Sequence, residues 1–493
     1  MLNTLSRGDL VRSGNFIGGF WREAQSGGRH LVTDPATLAT IAHVPDSAAV
    51  DALAALDAAH AAFEGWRERS GRERAQLLRR WHGLILAHQE DLARIISSEQ
   101  GKPLAESRGE VLYGASYVEW FAEEAARVHG DVIPAPGRGR RMLATREPVG
   151  VVAAITPWNF PLAMITRKLA PALAAGCTVV AKPAEDTPLT AAALVVLAEE
   201  AGFPAGTINL VCASREHTPE VVDVWLTDER VRKITFTGST PVGKHLARAS
   251  AGTLKRLSLE LGGNAPFIVF EDADLDAAVE GLMVAKFRNG GQTCVCPNRV
   301  FVHKAVHDSF VDKLVGRVAA LQVGPASDAQ AQIGPMINAR ALEKIDGHVR
   351  DALQRGATVA VGGQRLGAPQ VAGAGHYFAP TVLTGVDASM LCAVEETFGP
   401  VVALSRFTSE EEAVRLANDT PFGLAAYFYS VDAARIARVA ERLEAGIVGI
   451  NEGALAAEAA PFGGIKESGY GREGSRHGLD DYLQWKYLCQ GGL

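Results

Sequence analysis

Three residues far apart in the chain carry side chains suited to acyl chemistry. Cys294 sits in Asn289-Gly290-Gly291-Gln292-Thr293-Cys294-Val295-Cys296, after an apolar helical run from Leu275 to Phe287. The Gly-rich turn puts its sulfur on a bend that a small electrophile can approach closely, which makes it the nucleophile candidate. A cysteine taken alone is more commonly a small buried hydrophobe. Asn159, in Pro157-Trp158-Asn159-Phe160-Pro161, follows a strand-like run, and its amide could donate to an oxyanion on a carbonyl attacked by sulfur. Asparagine beside proline is also an ordinary turn former. Glu260 stands in the apolar Leu259-Glu260-Leu261-Gly262-Gly263-Asn264, where desolvation would raise its pKa toward that of a general base. A buried ion pair would leave the same pattern.

These residues must be positioned by a scaffold, and the middle of the chain reads as alternating strands and helices. Strands are expected at Val151 to Thr156, Thr178 to Ala181, Ile208 to Val211 and Lys233 to Phe236, with helices at Pro161 to Ala174 and Pro188 to Ala201. Thr187-Pro188 and Thr240-Pro241 each look like an N-cap followed by proline in the first helical turn. The pattern predicts a parallel, doubly wound α/β sheet with ligands beyond the carboxyl ends of its strands. A phosphate-binding turn is expected at Phe236-Thr237-Gly238-Ser239-Thr240-Pro241-Val242-Gly243-Lys244-His245, where a helix N-terminus could face a pyrophosphate. The dinucleotide spacing G-x-G-x-x-G is absent, and His245 replaces the Ser or Thr that a P-loop needs for Mg²⁺.

At 493 residues, with 47% apolar and 21% charged residues, the chain is long enough for roughly three globular domains. A net charge of −7 and a pI near 6.0 argue against nucleic acid and anionic membranes as partners. The six cysteines are scattered apart from one C-x-C, so neither a disulfide scaffold nor a metal site is indicated. With no leader pattern and no spanning apolar run, a cytoplasmic location is expected. The first residues suggest a hairpin at Phe16 to Trp21, helices follow from Ser47, and another helical run is expected from Leu112 to Val128. The basic, Pro/Gly-punctuated Pro134 to Arg141 then reads as a hairpin or arm leaving the body.

The blocks Pro157 to Pro161, Phe236-Thr237-Gly238-Ser239, Leu259 to Gly263, Gly291-Gln292-Thr293-Cys294 and Glu395-Glu396-Thr397-Phe398-Gly399-Pro400, in this order, resemble the NAD(P)-dependent aldehyde dehydrogenase superfamily. Tyr117 to Ala125, Lys286-Phe287-Arg288-Asn289 and Lys486-Tyr487-Leu488-Cys489 are similar to its succinate-semialdehyde dehydrogenase branch. The resemblance implies an aldehyde dehydrogenase-like fold: a Rossmann-type cofactor domain (1–128 and 150–259), an α/β catalytic domain (260–453), and a small oligomerisation arm with a C-terminal strand (129–149 and 478–493). A homodimer or homotetramer is then expected. It also implies that Cys294 attacks an aldehyde, that Asn159 and the Cys294 backbone N–H hold the oxyanion, and that Glu260 activates the water that hydrolyses the thioester after hydride transfer. Cofactor contacts are implied for Thr156, Pro157, Trp158, Lys182, Glu185, Gly238, Ser239, Gly262, Glu396 and Phe398. A carboxylate at Glu185 can accept from a ribose 2′-hydroxyl but repels a 2′-phosphate, so NAD is expected over NADP. Capping of the helix after Thr187 is the other use for that glutamate.

For the substrate, the resemblance implies an aldehyde with a distal carboxylate, met by Arg167 and Arg288, unless these are ordinary ion-pair arginines. The branch usually has a serine near Ala456, and its loss here leaves glutarate semialdehyde or a broader range of aliphatic aldehydes open beside succinate semialdehyde. Cys296, two residues from the nucleophile, could close a strained, easily reduced disulfide with Cys294, or simply pack. A non-catalytic NAD-binding structural protein and a thiol esterase are the readings of other classes. The first would be expected to lack Cys294, Glu260 or Asn159, and the second would not require NAD for turnover.

Overall fold

The computed structural model describes residues 1–368 and 370–493. Fully buried apolar runs such as Val151-Val152-Ala153-Ala154-Ile155 cannot alternate with solvent, and they form the centre of a parallel sheet covered on both faces. Across this sheet the strands run Ile208–Leu210, Thr178–Lys182, Val151–Ile155, Val231–Thr237 and Arg256–Glu260, all parallel. The hairpin Asn15–Ile17/Phe20–Arg22 adds antiparallel to one edge and the short strand Gly469–Tyr470 to the other. No sequence signal announced the second addition. Of the intervening helices, Pro161–Ala175 and Pro188–Ala201 begin on proline and end on Gly176 and Gly202 in the left-handed conformation.

Capping departs from the sequence expectation at both threonines. Thr187 makes no side-chain cap; the buried carboxylate of Glu99, from another helix, accepts from the backbone N–H groups of Leu189 and Thr190 at 2.8 Å each. The N-cap of Thr240–Ser250 is Ser239 rather than Thr240, and its hydroxyl caps nothing. A second sheet follows, with Thr381–Thr384, Val401–Phe407, Pro297–His303, Ala265–Val269, Ala425–Tyr429 and Ile447–Ile450 in parallel and Thr358–Val361 antiparallel at the edge. Leu261-Gly262-Gly263-Asn264 carries the chain from the first sheet to the second. A third, antiparallel sheet of Leu483–Gly491, Arg140–Pro148 and Asp131–Ile133 stands apart and exposes Val132, Trp485 and Tyr487.

Four helices, Ala49–Arg67, Gly71–Ala87, Gln89–Gln100 and Leu104–Ala125, precede these sheets. Gly71–Ala87 starts on a capping box in which Ser70 and Glu73 bond each other's backbone N–H. The fourth helix begins eight residues before the expected Leu112 and ends at Ala125 rather than Val128. Its first turns carry Glu106 and Glu110, which break the apolar period yet are turned inward and bonded there. At its start the two α/β units meet closely. Gly101 has φ of +90°, and a Cβ there would lie 2.7 Å from both Pro35 Cγ and Pro335 Cγ. Gly101→Ala is therefore expected to destabilise the protein by roughly 2–4 kcal/mol, combining the left-handed penalty with overpacking. Urea unfolding followed by tryptophan fluorescence checks this, and an unchanged midpoint would show that the prolines yield.

Candidate active site

The turn before Cys294 is left-handed for three residues, with φ of +50° at Asn289, +61° at Gly290 and +78° at Gly291. Such a run is unfavourable for a side-chain-bearing residue, so Asn289 needs external support. It receives it on every polar group: Glu106 accepts from its backbone N–H at 2.8 and 3.1 Å, and Gln100 donates to its side-chain oxygen at 3.0 Å. Its amide donates in turn to the carbonyl of Asn159 at 3.0 Å. Gln292 closes the turn by donating to the Asn289 carbonyl at 3.0 Å and accepting from Ile337 N–H at 3.0 Å. The Cys294 loop is thus tied to the loop that carries Asn159.

A second buried element fixes Asn159. Lys102, fully desolvated, donates to the Asn159 carbonyl at 2.7 Å and to Glu110 at 2.6 Å, with its ammonium 3.9 Å from the centre of the Phe160 ring. Glu110 also accepts from Leu162 and Ala163 N–H, at the start of the helix Pro161–Ala175. The Asn159 amide donates to the Gln292 carbonyl at 3.1 Å, which leaves its second N–H free for another acceptor.

Cys294, Asn159 and Glu260 line one cavity of about 370 Å³ between the two sheets. Both carboxylate oxygens of Glu260 are buried without a hydrogen-bond partner among the described residues, and burial raises its pKa well above the ordinary value, with Glu473 adding to the effect. Cys294 remains partly exposed, but the surrounding protein pushes its thiol up to about 12. A Cβ on Gly263 would lie 2.6 Å from the Cys294 carbonyl oxygen, so only glycine lets the inter-sheet crossing pass so near the nucleophile.

The same cavity is lined by Pro157, Trp158, Gly238, Ser239, Gly262, Glu396 and Phe398, and the Trp158 and Phe398 rings meet edge to face at 5.5 Å. Three features suit it to a dinucleotide. The uncapped N-terminus of Thr240–Ser250 leaves N–H groups for phosphate. Glu396, which burial raises to about 7, accepts a bond among the described residues only from Gly263 N–H at 3.1 Å and keeps acceptor capacity for hydroxyls. A Cβ on Gly262 would come within 3.0 Å of the Glu396 carboxylate and close this space. Thr156 ends the central strand, its N–H bonded to the Lys182 carbonyl at 3.2 Å. Lys182 and Glu185 pair at 3.4 Å at the neighbouring strand end. Arg215, Arg340 and Lys344, which sequence reasoning missed, also line the cavity.

Arg167, Arg288 and Cys296, and likewise Thr156, Lys182 and Glu185, are not part of that lining. Arg167 is 1% exposed and ion-paired with Glu473 at 2.8 Å; it contacts the Tyr113 hydroxyl at 3.1 Å and lies 4.1 Å over the Phe462 ring. Lys168, beside it, bonds Thr237 at 2.6 Å and pairs with the same glutamate. Glu473 was missed as well, although two adjacent cations in the otherwise apolar Pro161–Ala175 required a counter-ion. Arg288 lies over the Phe160 ring at 4.7 Å and the Tyr113 ring at 5.6 Å, and has no carboxylate partner among the described residues. Cys296 is buried, its thiol 3.6 Å from the Lys286 carbonyl. Among the described residues, no group of His, Cys, Asp and Glu could hold a metal ion, and no helix is long and apolar enough to cross a membrane.

The model of the aldehyde dehydrogenase family matches residues 21–488. The chain belongs to that family. It is 54% identical over 486 residues to a 3-sulfolactaldehyde dehydrogenase of Pseudomonas putida, covering 98% of both chains. It is 54% identical over 465 residues to a probable succinate-semialdehyde dehydrogenase [NADP(+)] of Sinorhizobium fredii, covering 94% of this chain and 93% of the relative. The crystal structure of a succinate-semialdehyde dehydrogenase from Burkholderia pseudomallei matches with a TM-score of 0.96 at 53% identity, covering 99% of this chain and 100% of that one. As a family member, the protein oxidises an aldehyde with a nicotinamide dinucleotide. Because burial holds the Cys294 thiol so high, carboxamidomethylation of the free enzyme is expected to accelerate about tenfold per pH unit from roughly pH 7 to 9. A plateau near pH 8 in iodoacetamide kinetics would return this thiol to the ordinary range.

Proposed function

We propose that the protein oxidises a short aldehyde bearing a terminal anion to the corresponding acid, with NAD preferred and succinate semialdehyde as the leading substrate. The observation that carries the reading is the convergence of Cys294, Asn159 and an unbonded Glu260 on one cavity whose other wall suits a dinucleotide. Cys294 loses its proton as its sulfur adds to the aldehyde carbon, and the free N–H of the Asn159 amide, with the Cys294 backbone N–H, receives the oxyanion. A bound nicotinamide supplies the acceptor for the hydride. Glu260 then takes a proton from the water that attacks the thioester, for which its raised pKa and bare oxygens suit it.

Arg288 is the main anchor for the terminal anion in this reading, because its guanidinium is held by aromatic rings without being neutralised. Arg167 takes the lesser share, since Glu473 already offsets its charge. A sulfonate-terminated aldehyde is the second reading, favoured by the likeness to the Pseudomonas putida enzyme and by the small, exposed Ala456, which stands where the branch usually carries a serine. Glutarate semialdehyde fits the same anchor. NAD preference rests on Glu185: burial pushes its carboxyl up, but Lys182 and backbone hydrogen bonding hold it below its usual range, so it would meet a 2′-phosphate as an anion. Arg215 and Arg340 act against that preference, and the Sinorhizobium relative is named for NADP. In the same reading the exposed arm sheet joins copies into a homo-oligomer.

Two experiments test the reading. Reduced-cofactor formation is measured for succinate semialdehyde, sulfolactaldehyde, glutarate semialdehyde and propanal with NAD and NADP. Arg288→Ala is expected to raise KM for the anionic aldehydes by roughly 10- to 100-fold, the loss of a charge-assisted bond, and to leave propanal unchanged. Equal effects on propanal, or equal efficiency with the two cofactors, would remove the corresponding assignment. Glu260→Gln is expected to keep a first-turnover burst near one NADH per site while steady-state turnover falls by about 10²- to 10⁴-fold. Normal steady-state hydrolysis by this variant would assign the base elsewhere.

A further inference from the structure

A second cavity, of about 460 Å³, lies where the arm strand Arg140–Pro148 leaves the helical layer, and it is lined by Arg67, Arg69, Arg72, Arg74 and Arg146. So dense a cluster of one sign is unexpected in a chain of net charge −7. The only carboxylate in its lining, Glu147, pairs with Lys486 at 3.1 Å. Arg67 pairs with Glu64 at 3.5 Å and Arg146 with Asp480. Among the described residues, Arg69, Arg72 and Arg74 have no carboxylate partner. The helix Gly71–Ala87 also begins here; its N-terminus is capped by Ser70 and Glu73, and the Glu73 carboxylate lies near Arg69 and Arg74 without an ion-pair contact to either.

Arg74 carries the argument furthest. It is 7% exposed, and burial lowers its pKa, so its charge is held at a cost with no counter-ion. Its Nε donates to the Ala174 carbonyl at 2.9 Å and its Nη1 to the Arg69 carbonyl, which anchors the guanidinium between two helix ends, while Nη2 makes no hydrogen bond to the described residues. Arg299, also buried without a carboxylate, differs: Nε, Nη1 and Nη2 each donate to a carbonyl, at 3.0, 2.7 and 2.7 Å. Arg74 is thus fixed in place and left incomplete at a cavity that four further arginines share.

We propose that this cavity binds a small polyanion through phosphate groups, bridging the helical layer and the arm. Guanidinium forks match phosphate oxygens, and a cavity lined by five arginines, three of them without an ion-pair contact among the described residues, calls for more than one negative charge. The test is calorimetric titration of the full chain with inorganic pyrophosphate and, separately, fructose 1,6-bisphosphate, at constant ionic strength and with saturating NAD to fill the other cavity. Saturable binding near one per protomer is expected, with a rise in unfolding temperature. Arg69→Gln and Arg72→Gln, on the rim and remote from Cys294, should each weaken it about tenfold and leave aldehyde oxidation unchanged. Stronger binding of the bisphosphate would identify a phosphorylated metabolite, and equal binding would mean that phosphate alone is recognised. Absence of saturable binding by both probes, or binding that the two variants leave intact, would overturn the proposal.

Discussion

The site depends on a backbone that the chain does not adopt without support. Three consecutive left-handed residues, one of them asparagine, place Cys294 at the cavity, and each such residue with a side chain is strained by about 1–2 kcal/mol. The strain is offset by bonds from four directions: Glu106 on the amide of Asn289, Gln100 on its side-chain oxygen, Gln292 on its carbonyl, and the Asn159 carbonyl as acceptor. Because the last of these belongs to the loop of Asn159, the positions of Cys294 and Asn159 are one constraint. Lys102 and Glu110 carry that constraint into the helical layer. Breaking a buried pair by removing one partner costs roughly 3–5 kcal/mol, so the loop's position is coupled to the packing of the helices behind it.

Burial sets the electrostatics in one direction. It raises the thiol of Cys294 and the carboxyls of Glu260 and Glu396, shifting all three toward their neutral forms. Compensated charge lies one layer back, in Arg167, Lys168 and Glu473. Glu473 raises Glu260 while Arg167 and Lys168 lower it, and the cations also lie near enough for Arg167 to favour the Cys294 thiolate. The triad therefore moderates Cys294 and Glu260 together from outside the cavity lining.

The legible part of this arrangement is the part written in short-range pattern. Buried parallel strands read as continuous apolar runs, helices opened on proline and closed on glycine, and Cys294, Asn159 and Glu260 each stood out as a polar residue in an apolar or glycine-rich setting. What escaped depends on partners distant in sequence. The cap of Pro188–Ala201 comes from Glu99, about ninety positions away, so Thr187 received a role that it does not play. Glu106 and Glu110 interrupt the apolar period of their helix and hid its start, because a carboxylate turned inward cannot be told from one turned outward without its acceptor's partners. Glu473 lies 305 positions from Lys168, and only the unexplained pair of cations pointed to it. Gly469–Tyr470 is too short to announce itself as a strand.

The same division separates what is fixed in the site from what is free to change. The wall carrying Gly238 and Gly262 is built from strand ends and glycines whose neighbours leave no room for a Cβ, and Cys294 and Asn159 hang on a buried network that tolerates little displacement. The loop around Ala456 is different: its alanines are small and largely exposed, and it is joined to the wall by a 3.5 Å contact from the Tyr117 hydroxyl to the Ala457 carbonyl and by the bond from Ser475 N–H to the Glu458 carbonyl. Replacing side chains there disturbs no buried charge and creates no core cavity. Arg167 has no such freedom, because removing it would leave Glu473 short of a counter-ion beside Glu260. Arg288, stacked on rings and unpaired, can be repositioned without stranding a partner. Substitution is therefore structurally cheapest at the Ala456 loop and Arg288, and most costly at the buried, ion-paired Arg167.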